Sequence, residues 1–569
     1  MGDENPSFKF TSDEGQALCK SILAKARMPF DTHDYQLDAI THLLDGIDVL
    51  FVTATGSGKT DAFIRLMHIM LALSKDHELY PQAKKFPRDP VMLVVCPTKA
   101  LELDMVAHRK SDKERKMVKA KLSAVAINAD TVDEYRKKDA NIFEHVCEGV
   151  AVVILSPEQL KSRGFRQILD SKFSNRVTMM VVDEVHLLNS WGKDLRPAYK
   201  QIGWLRARLA THPPMLATTA TLEKGGPTKT VCENLGLQHG KFHFIRRSNL
   251  RGDIRLVFRA MQSGVAGFHF PELKWLLGVS VIGCVVIFCH TIALGFRVAA
   301  YLHRESLKDP QCKKQVRMYN SLNWNSYNAT TLVFLNDDPM AQIIIATDTL
   351  SVGFDSPNIK LVVIVGDILD TDDYIQKVGR IRVTVSSTED APDTLPTAIT
   401  YLTKNAVTTA TAIVDGKEPK KAKGSRAKGP QMSANMARLI LASCKVKQIN
   451  LTYDNPANDP MCTCSTCSSV SSSPPRPQDF SHCTCSGCSP EPVSEQTTGM
   501  STSKTSRKGL ARLTKEERDH GVKTLVALRD EIWKAAQLYS LPPDISCEEG
   551  ETPRGPHGDA TQSLPQWTP

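Results

Sequence analysis

Seven short apolar runs punctuate the first 400 positions of the chain: 49–52, 92–96, 152–155, 179–182, 285–289, 343–346 and 361–365. Polar residues do not alternate with apolar ones inside them. A strand with one wet face alternates, whereas a strand covered on both faces does not. The runs therefore predict parallel strands flanked by helices, and stretches of helical periodicity lie between them. The expected fold class is α/β, with two parallel-sheet lobes in tandem and a boundary near 248–267.

The pattern changes after about residue 404. Positions 416–429 hold six Lys/Arg and one Glu among Gly, Pro and Ala, which reads as a solvated basic linker and secondarily as a nuclear-import or nucleic-acid patch. One amphipathic helix is expected over 432–446, then a Ser/Pro/Cys-rich stretch over 459–489. A capping box at 514–517 opens a last helix, 514–538, where Val522, Leu525, Val526, Ile532, Trp533 and Ala536 recur at helical spacing. Residues 549–569 read as disordered. The expected organisation is an N-terminal segment 1–30, a first lobe 31–250, a second lobe 251–410, a basic linker 411–430, a helix with a small cysteine-rich region 431–490, and a partly disordered polar tail 491–569.

Composition narrows the setting. At 569 residues the chain is too long for one domain, and 41% apolar with 23% charged residues is ordinary globular usage. A formal charge of +9 suits a polyanionic partner. The polar, acidic start does not read as a secretory signal, so a reducing compartment is expected, and the 15 cysteines suggest metal ligands before disulfides. Neither end carries a lipidation signal. Residues 275–296 carry no formal charge over 22 positions, long enough for a bilayer. Gly278 and Gly283 interrupt the run and 284–289 is rich in β-formers, so a buried helix and a buried strand are expected rather than a membrane span.

Two stretches carry chemistry. Ala54, Thr55, Gly56, Ser57, Gly58, Lys59 and Thr60 follow one predicted strand and open a predicted helix. Glycines let backbone N–H groups close around phosphate oxygens, Lys59 reaches the β- and γ-phosphates, and Thr60 ligates magnesium. About 120 residues later Asp183 and Glu184 end another strand. Asp183 completes the magnesium shell and Glu184 orients the attacking water.

Over residues 30–404 these motifs and their order resemble superfamily-two helicases, and within them the RecQ family. The resemblance implies two RecA-like lobes with Mg-ATP between them. Gln36 stands where the family reads adenine. Thr98 and Lys99, and Ser156, look like segments that grip the DNA backbone. Thr218, Thr219, Ala220 and Thr221 look like the element linking hydrolysis to domain motion. Thr347 and Asp355 look like contacts to DNA and ribose, and Gln376 and Arg380 like the last motif, with Arg380 aimed at the γ-phosphate. Trp191, Arg196 and Tyr199 resemble the aromatic-rich loop of the family. An indole stacked on a base is worth about 1–3 kcal/mol, and a loop continuous with Glu184 lets DNA occupancy bias the catalytic water. The implied activity is an ATP-dependent DNA helicase, working 3′ to 5′ on single strands and at duplex junctions, in the nucleus, in DNA repair and recombination. An RNA helicase and a degenerate nucleic-acid-binding copy are the alternatives.

The pattern departs from the family in places. His33 replaces an arginine common in relatives, and Val185 stands where the acidic motif usually has alanine. Val383 occupies the place of the usual second arginine. Arg382 lies one residue early, a rotation of about 100° if the segment is helical. An arginine on the γ-phosphate can be worth about 10³–10⁵ in turnover, so an active but slowed ATPase is expected.

Six cysteines repeat one spacing, Cys462, Cys464 and Cys467, then Cys483, Cys485 and Cys488, displaced by 21 residues. Zinc takes four such ligands tetrahedrally. One pairing joins Cys444 to Cys462, Cys464 and Cys467, as the RecQ resemblance implies. Another joins Cys464, Cys467, Cys485 and Cys488. A disordered repeat without metal is the third possibility.

Overall fold

The computed structural model describes residues 8–28, 31–80, 86–97, 102, 105, 121–190, 201–209, 211–278, 283–308, 312, 315–337, 342–350, 356, 358–382, 396–417, 431–469, 483–490, 520 and 523. The chain divides into a unit Met1–Glu491, to which everything below belongs, and a unit Pro492–Pro569. The tail helix expected over 514–538 lies outside the described residues, apart from His520 and Lys523.

The apolar runs are strands. In the first lobe β1 (Asp48–Val52), β2 (Val91–Val95), β3 (Ala124–Ile127), β4 (Val152–Leu155), β5 (Val177–Val182), β6 (Met215–Thr219) and β7 (Phe242–Arg246) form one sheet. Its order is β3-β4-β2-β5-β6-β1-β7, and all its pairings are parallel. In the second lobe β8 (Arg255–Ala260), β9 (Cys284–Cys289), β10 (Gln315–Tyr319), β11 (Gln342–Ala346), β12 (Ile359–Val365) and β13 (Thr397–Leu402) form a second parallel sheet, ordered β10-β11-β9-β12-β13-β8.

The absence of alternation has a direct cause. Side chains of β1 point to opposite faces in turn: Val49 and Phe51 enter one core, Leu50 and Val52 the other. In β9, Cys284, Val286 and Phe288 face one core and Val285, Ile287 and Cys289 face another. Both faces of these central strands are dry, so their apolar runs are unbroken, whereas the edge strands β7, β8 and β10 carry polar residues. The neutral run 275–296 resolves into the end of a 3-10 helix, Pro271–Leu277, then β9 and the start of the helix Ile292–Ser306. Among the described residues no helix is long and apolar enough to cross a membrane.

The helix expected over 432–446 is two helices, Ala434–Leu441 and Lys445–Tyr453. The break is local chemistry. Cys444 adopts an extended backbone and its sulfur accepts the Lys447 N–H at 3.4 Å, so it starts a new helix rather than ending the old one. The pair packs between the lobes. Asn435 Nδ2 donates to Glu223 of the first lobe at 2.7 Å, and Glu223 also accepts from Thr371 of the second at 2.6 Å. Tyr453 donates to Asp372 at 2.7 Å.

Candidate nucleotide site and cysteine clusters

Strands β1, β5 and β6 are neighbours, so the segments leaving their C-terminal ends converge, the place where parallel sheets bind ligands. After β1 the chain enters the loop 54–60, the expected phosphate cradle. Gly56 and Gly58 have φ of +83° and +82°, the left-handed region that glycine reaches without cost. Gly58 caps the helix Lys59–Lys75, which points its N-terminus at the cradle. Lys59 Nζ donates to the carbonyls of Thr53 and Ala54, both at 3.0 Å, so its ammonium folds back onto the loop. Thr60 is the second residue of that helix. Gln36 braces the cradle from outside: its Nε2 donates to the Gly58 carbonyl at 2.9 Å and its Oε1 accepts the His33 N–H at 3.0 Å. Tyr35 donates to the Ser57 carbonyl at 2.8 Å.

Asp183 follows β5, and its Oδ1 accepts from Thr218 at 2.5 Å and from the Glu184 N–H at 2.9 Å. Glu184 has φ +52°, an uncommon conformation for a residue with a side chain, held here by the surrounding bonds. Burial and the adjacent Glu184 carboxylate raise the Asp183 pKa. Burial works against ionised Glu184 too, but the His186 hydrogen bond and the charges of His186, Lys59 and Arg380 overcome it and hold Glu184 below the usual range. The two carboxyls are thus pushed in opposite directions, with Glu184 the one that gives up its proton more readily, which suits the base expected there. The Thr60 hydroxyl and the Asp183 carboxylate are hard oxygen donors that fit magnesium, whose charge would offset that of a triphosphate and favour ionised Asp183.

His186 connects this site to the second lobe. Its Nδ1 lies 2.9 Å from Thr219 Oγ1 and 3.3 Å from Glu184 Oε2. Its Nε2 lies 2.6 Å from Gln376 Nε2 in the helix Thr371–Val378. His186 and Gln376 are 4% and 5% exposed, so the pair is sealed from water. Sequence reasoning gave His186 no role and gave Gln376 a nucleotide role; the structure places Gln376 on His186. Val185 is fully buried in the core behind the site.

The arginines also differ from expectation. The helix ends at Val378, and Arg380–Arg382 lie beyond it, so a helical rotation does not describe them. A Cβ placed on Gly56 would lie 3.7 Å from Arg382 Cζ. The Arg382 guanidinium therefore sits against the cradle, anchored by the carbonyls of Gly379 at 2.5 Å and Ile381 at 3.0 Å. Arg380 is 7% exposed and its charge acts on Glu184. Ser156 and Thr347 follow the C-terminal ends of β4 and β11. Thr98, Lys99, Trp191, Arg196, Tyr199, Asp355 and Val383 lie outside the described residues.

The six clustered cysteines are sorted differently from both expected pairings. Cys462, Cys464 and Cys467 meet His33, not Cys444. Cys444 meets Cys483, Cys485 and Cys488. In each group the ligand atoms lie within 4.8 Å of one another. The second triad is fixed by the edge strand β8: Ser486 N–H donates to the Leu256 carbonyl at 2.9 Å and Phe258 N–H to Ser486 Oγ at 3.0 Å. It also needs a glycine. A Cβ on Gly487 would lie 1.8 Å from the Ser443 carbonyl oxygen, and the first triad carries Thr466 at that position. Cys444 thus meets a three-cysteine cluster 21 residues beyond the one expected to join it.

Comparisons with known proteins agree with this geometry. A family model described as DEAD/DEAH box helicase matches residues 33–228, and one described as helicase conserved C-terminal domain matches 269–383. The chain is 30% identical over 217 residues to a probable ATP-dependent DNA helicase RecS of Bacillus subtilis, covering 38% of this chain and 37% of that protein. It is 23% identical over 350 residues to the ATP-dependent DNA helicase RecQ of Pasteurella multocida, covering 61% and 47%. It is 22% identical over 350 residues to the ATP-dependent helicase SGS1 of Saccharomyces cerevisiae, covering 61% and 21%. The matches thus span less than half the length of these relatives. Among solved structures, the DUF1998 helicase MrfA bound to DNA and AMPPNP superposes with a TM-score of 0.51 at 15% identity, covering 74% of this chain and 54% of that one. Mss116p bound to single-stranded RNA and AMP-PNP gives 0.50 at 16%, covering 74% and 82%. These likenesses concern the fold.

Proposed function

Because the chain belongs to the helicases built from a DEAD/DEAH-box domain and a helicase C-terminal domain, with RecQ-family enzymes among its relatives, we propose that it is an ATP-dependent DNA helicase that translocates 3′ to 5′ on single strands and opens duplexes. Lys59, Thr60 and Asp183 hold Mg-ATP, Glu184 orients water, and Arg380 with Arg382 reaches the phosphates from the second lobe. The observation that carries the reading is the sealed His186–Gln376 pair. It joins the residue two positions from the water-orienting carboxylate directly to the second lobe, so a change at the phosphates is felt as a change in lobe position. Thr219, which His186 also touches, belongs to the element assigned to that coupling. Arg382 beside Gly56 argues for hydrolysis rather than mere binding. DNA is favoured over RNA by the sequence relatives named above. Residence in the nucleus is part of the reading and rests on the basic stretch 416–429.

The test is strand displacement on DNA duplexes with 3′ or 5′ tails, with Lys59→Ala as control. Displacement of 3′-tailed substrate only is the expected result. ATP turnover stimulated by RNA and not by DNA would transfer the chain to the RNA reading.

A further inference from the structure

His33 and the cysteines at 462–467 are over 420 residues apart in the chain, and nothing in the nucleotide chemistry calls for them to meet. His33 Nδ1 lies 3.6, 3.3 and 3.5 Å from the sulfurs of Cys462, Cys464 and Cys467. One imidazole nitrogen makes one hydrogen bond, as donor or as acceptor, so hydrogen bonding does not account for three sulfurs at this range. A shared ion does. Tetrahedral zinc with bonds of about 2.3 Å to sulfur and about 2.0 Å to nitrogen sets its nitrogen and sulfur ligands about 3.5 Å apart.

We infer that His33, Cys462, Cys464 and Cys467 form a zinc site that fastens the cysteine-rich segment to the rim of the nucleotide site. The ligands are preorganised by bonds that owe nothing to metal. Asp34 Oδ2 accepts from the N–H and hydroxyl of Thr463 at 2.5 and 2.9 Å, and Asp31 accepts from the N–H of Ser465 at 3.2 Å and from its hydroxyl. The His33 ring is stacked on Tyr35 with centroids 5.1 Å apart. Two sulfurs accept backbone N–H groups, Cys462 from Asp34 at 3.3 Å and Cys464 from Cys467 at 3.4 Å. Such bonds orient thiolates around a metal and moderate their charge. Three sulfurs and one imidazole favour zinc over hard cations. Among the described residues these cysteines form no disulfide.

The site has a mechanical reach. His33 is held by Gln36, which holds Gly58, and its stacking partner Tyr35 holds Ser57. The chain leading into these cysteines is held by the second lobe through Tyr453, which donates to Asp372 at 2.7 Å. An ion at His33 therefore ties the cradle's outer brace to a segment fixed on the opposite lobe. This last consequence rests on the proposed function; the metal assignment does not.

The full chain, purified under reducing conditions with zinc, is assayed for metal by mass spectrometry. Loss of one zinc per chain is expected in His33→Ala and in Cys464→Ser, with no further loss when the two are combined. Full zinc retention in His33→Ala overturns the inference. A ligand exchange guards against misfolding: in cobalt-loaded protein, His33→Cys is expected to move the visible d–d bands to longer wavelength, as three-sulfur, one-nitrogen ligation becomes four-sulfur. An unchanged spectrum also overturns it. The KM for ATP is expected to rise about tenfold in His33→Ala. Zinc lost with KM unchanged removes the fastening role. A wild-type chain with no ATP turnover fails the proposed function instead, and the zinc count still decides this one.

Discussion

If the His186–Gln376 pair transmits the state of the phosphates to the second lobe, removing it should uncouple turnover from DNA. The cleanest perturbation is Gln376→Met, which keeps length and removes the amide. It leaves His186 Nε2 without its 2.6 Å partner in a site where both side chains are about 5% exposed or less. A buried polar group stripped of its partner costs about 1–3 kcal/mol. That cost falls on the arrangement of the lobes described here, in which both side chains are buried, and an arrangement that separates Gln376 from His186 would escape it. At about 1.4 kcal/mol per factor of ten, DNA-stimulated kcat/KM should fall roughly 5- to 150-fold. His186→Ala should cost as much or more, since it also strips Thr219 and Glu184 of a partner. The decisive quantity is the double variant. Its loss should be no larger than that of His186→Ala alone, a coupling energy of about 1 kcal/mol or more. Steady-state ATP turnover at saturating single-stranded DNA measures all four proteins. Effects that simply multiply, with coupling under about 0.5 kcal/mol, would refute the relay.

Other outcomes follow from the same geometry. Gly58→Ala forces a Cβ to within 2.5 Å of Gln36 Nε2 at φ +82°, so binding of a fluorescent ATP analogue should weaken at least tenfold. Arg382→Ala should lower kcat by about 10³ or more with little change in ATP affinity, and Arg382→Lys should not restore it, because a lysine lacks the planar fork. Burial, with Asp370 nearby, pushes the Asp372 pKa up to about 7. Its proton is held more tightly folded than unfolded, so its contribution to stability is full below about pH 4 and is lost as pH rises towards 7. Asp372→Asn should flatten that part of a denaturation-against-pH profile, and a profile unchanged by the substitution would contradict the assignment.

The sheets were readable from sequence because burial on both faces leaves an unbroken apolar signature, as in β1 and β9. The cradle and Asp183 with Glu184 were readable because local spacing dictates their chemistry. What escaped was long-range. His186 and Gln376 are 190 residues apart, and neither position alone says that the other is its partner. The break before Cys444 was hidden because its flanks carry one continuous helical pattern while the cap is made by a sulfur. The triads have identical spacing, so arithmetic on cysteines could not assign them, and His33 was noticed only as a missing arginine. The aromatic loop at 191–199, prominent in the sequence, lies outside the described residues.

The bare backbone at Gly487 matters most while the chain is being made. Cys444 leaves the ribosome before either triad, and the first to follow it is the one destined for His33. With equal spacing and equal sulfur, that early triad would be a ready kinetic trap for a passing metal ion. The carbonyl of Ser443 refuses it, since a threonine cannot enter where only hydrogen fits. The missing side chain at Gly487 thus admits the later triad to Cys444 and leaves the earlier one to His33.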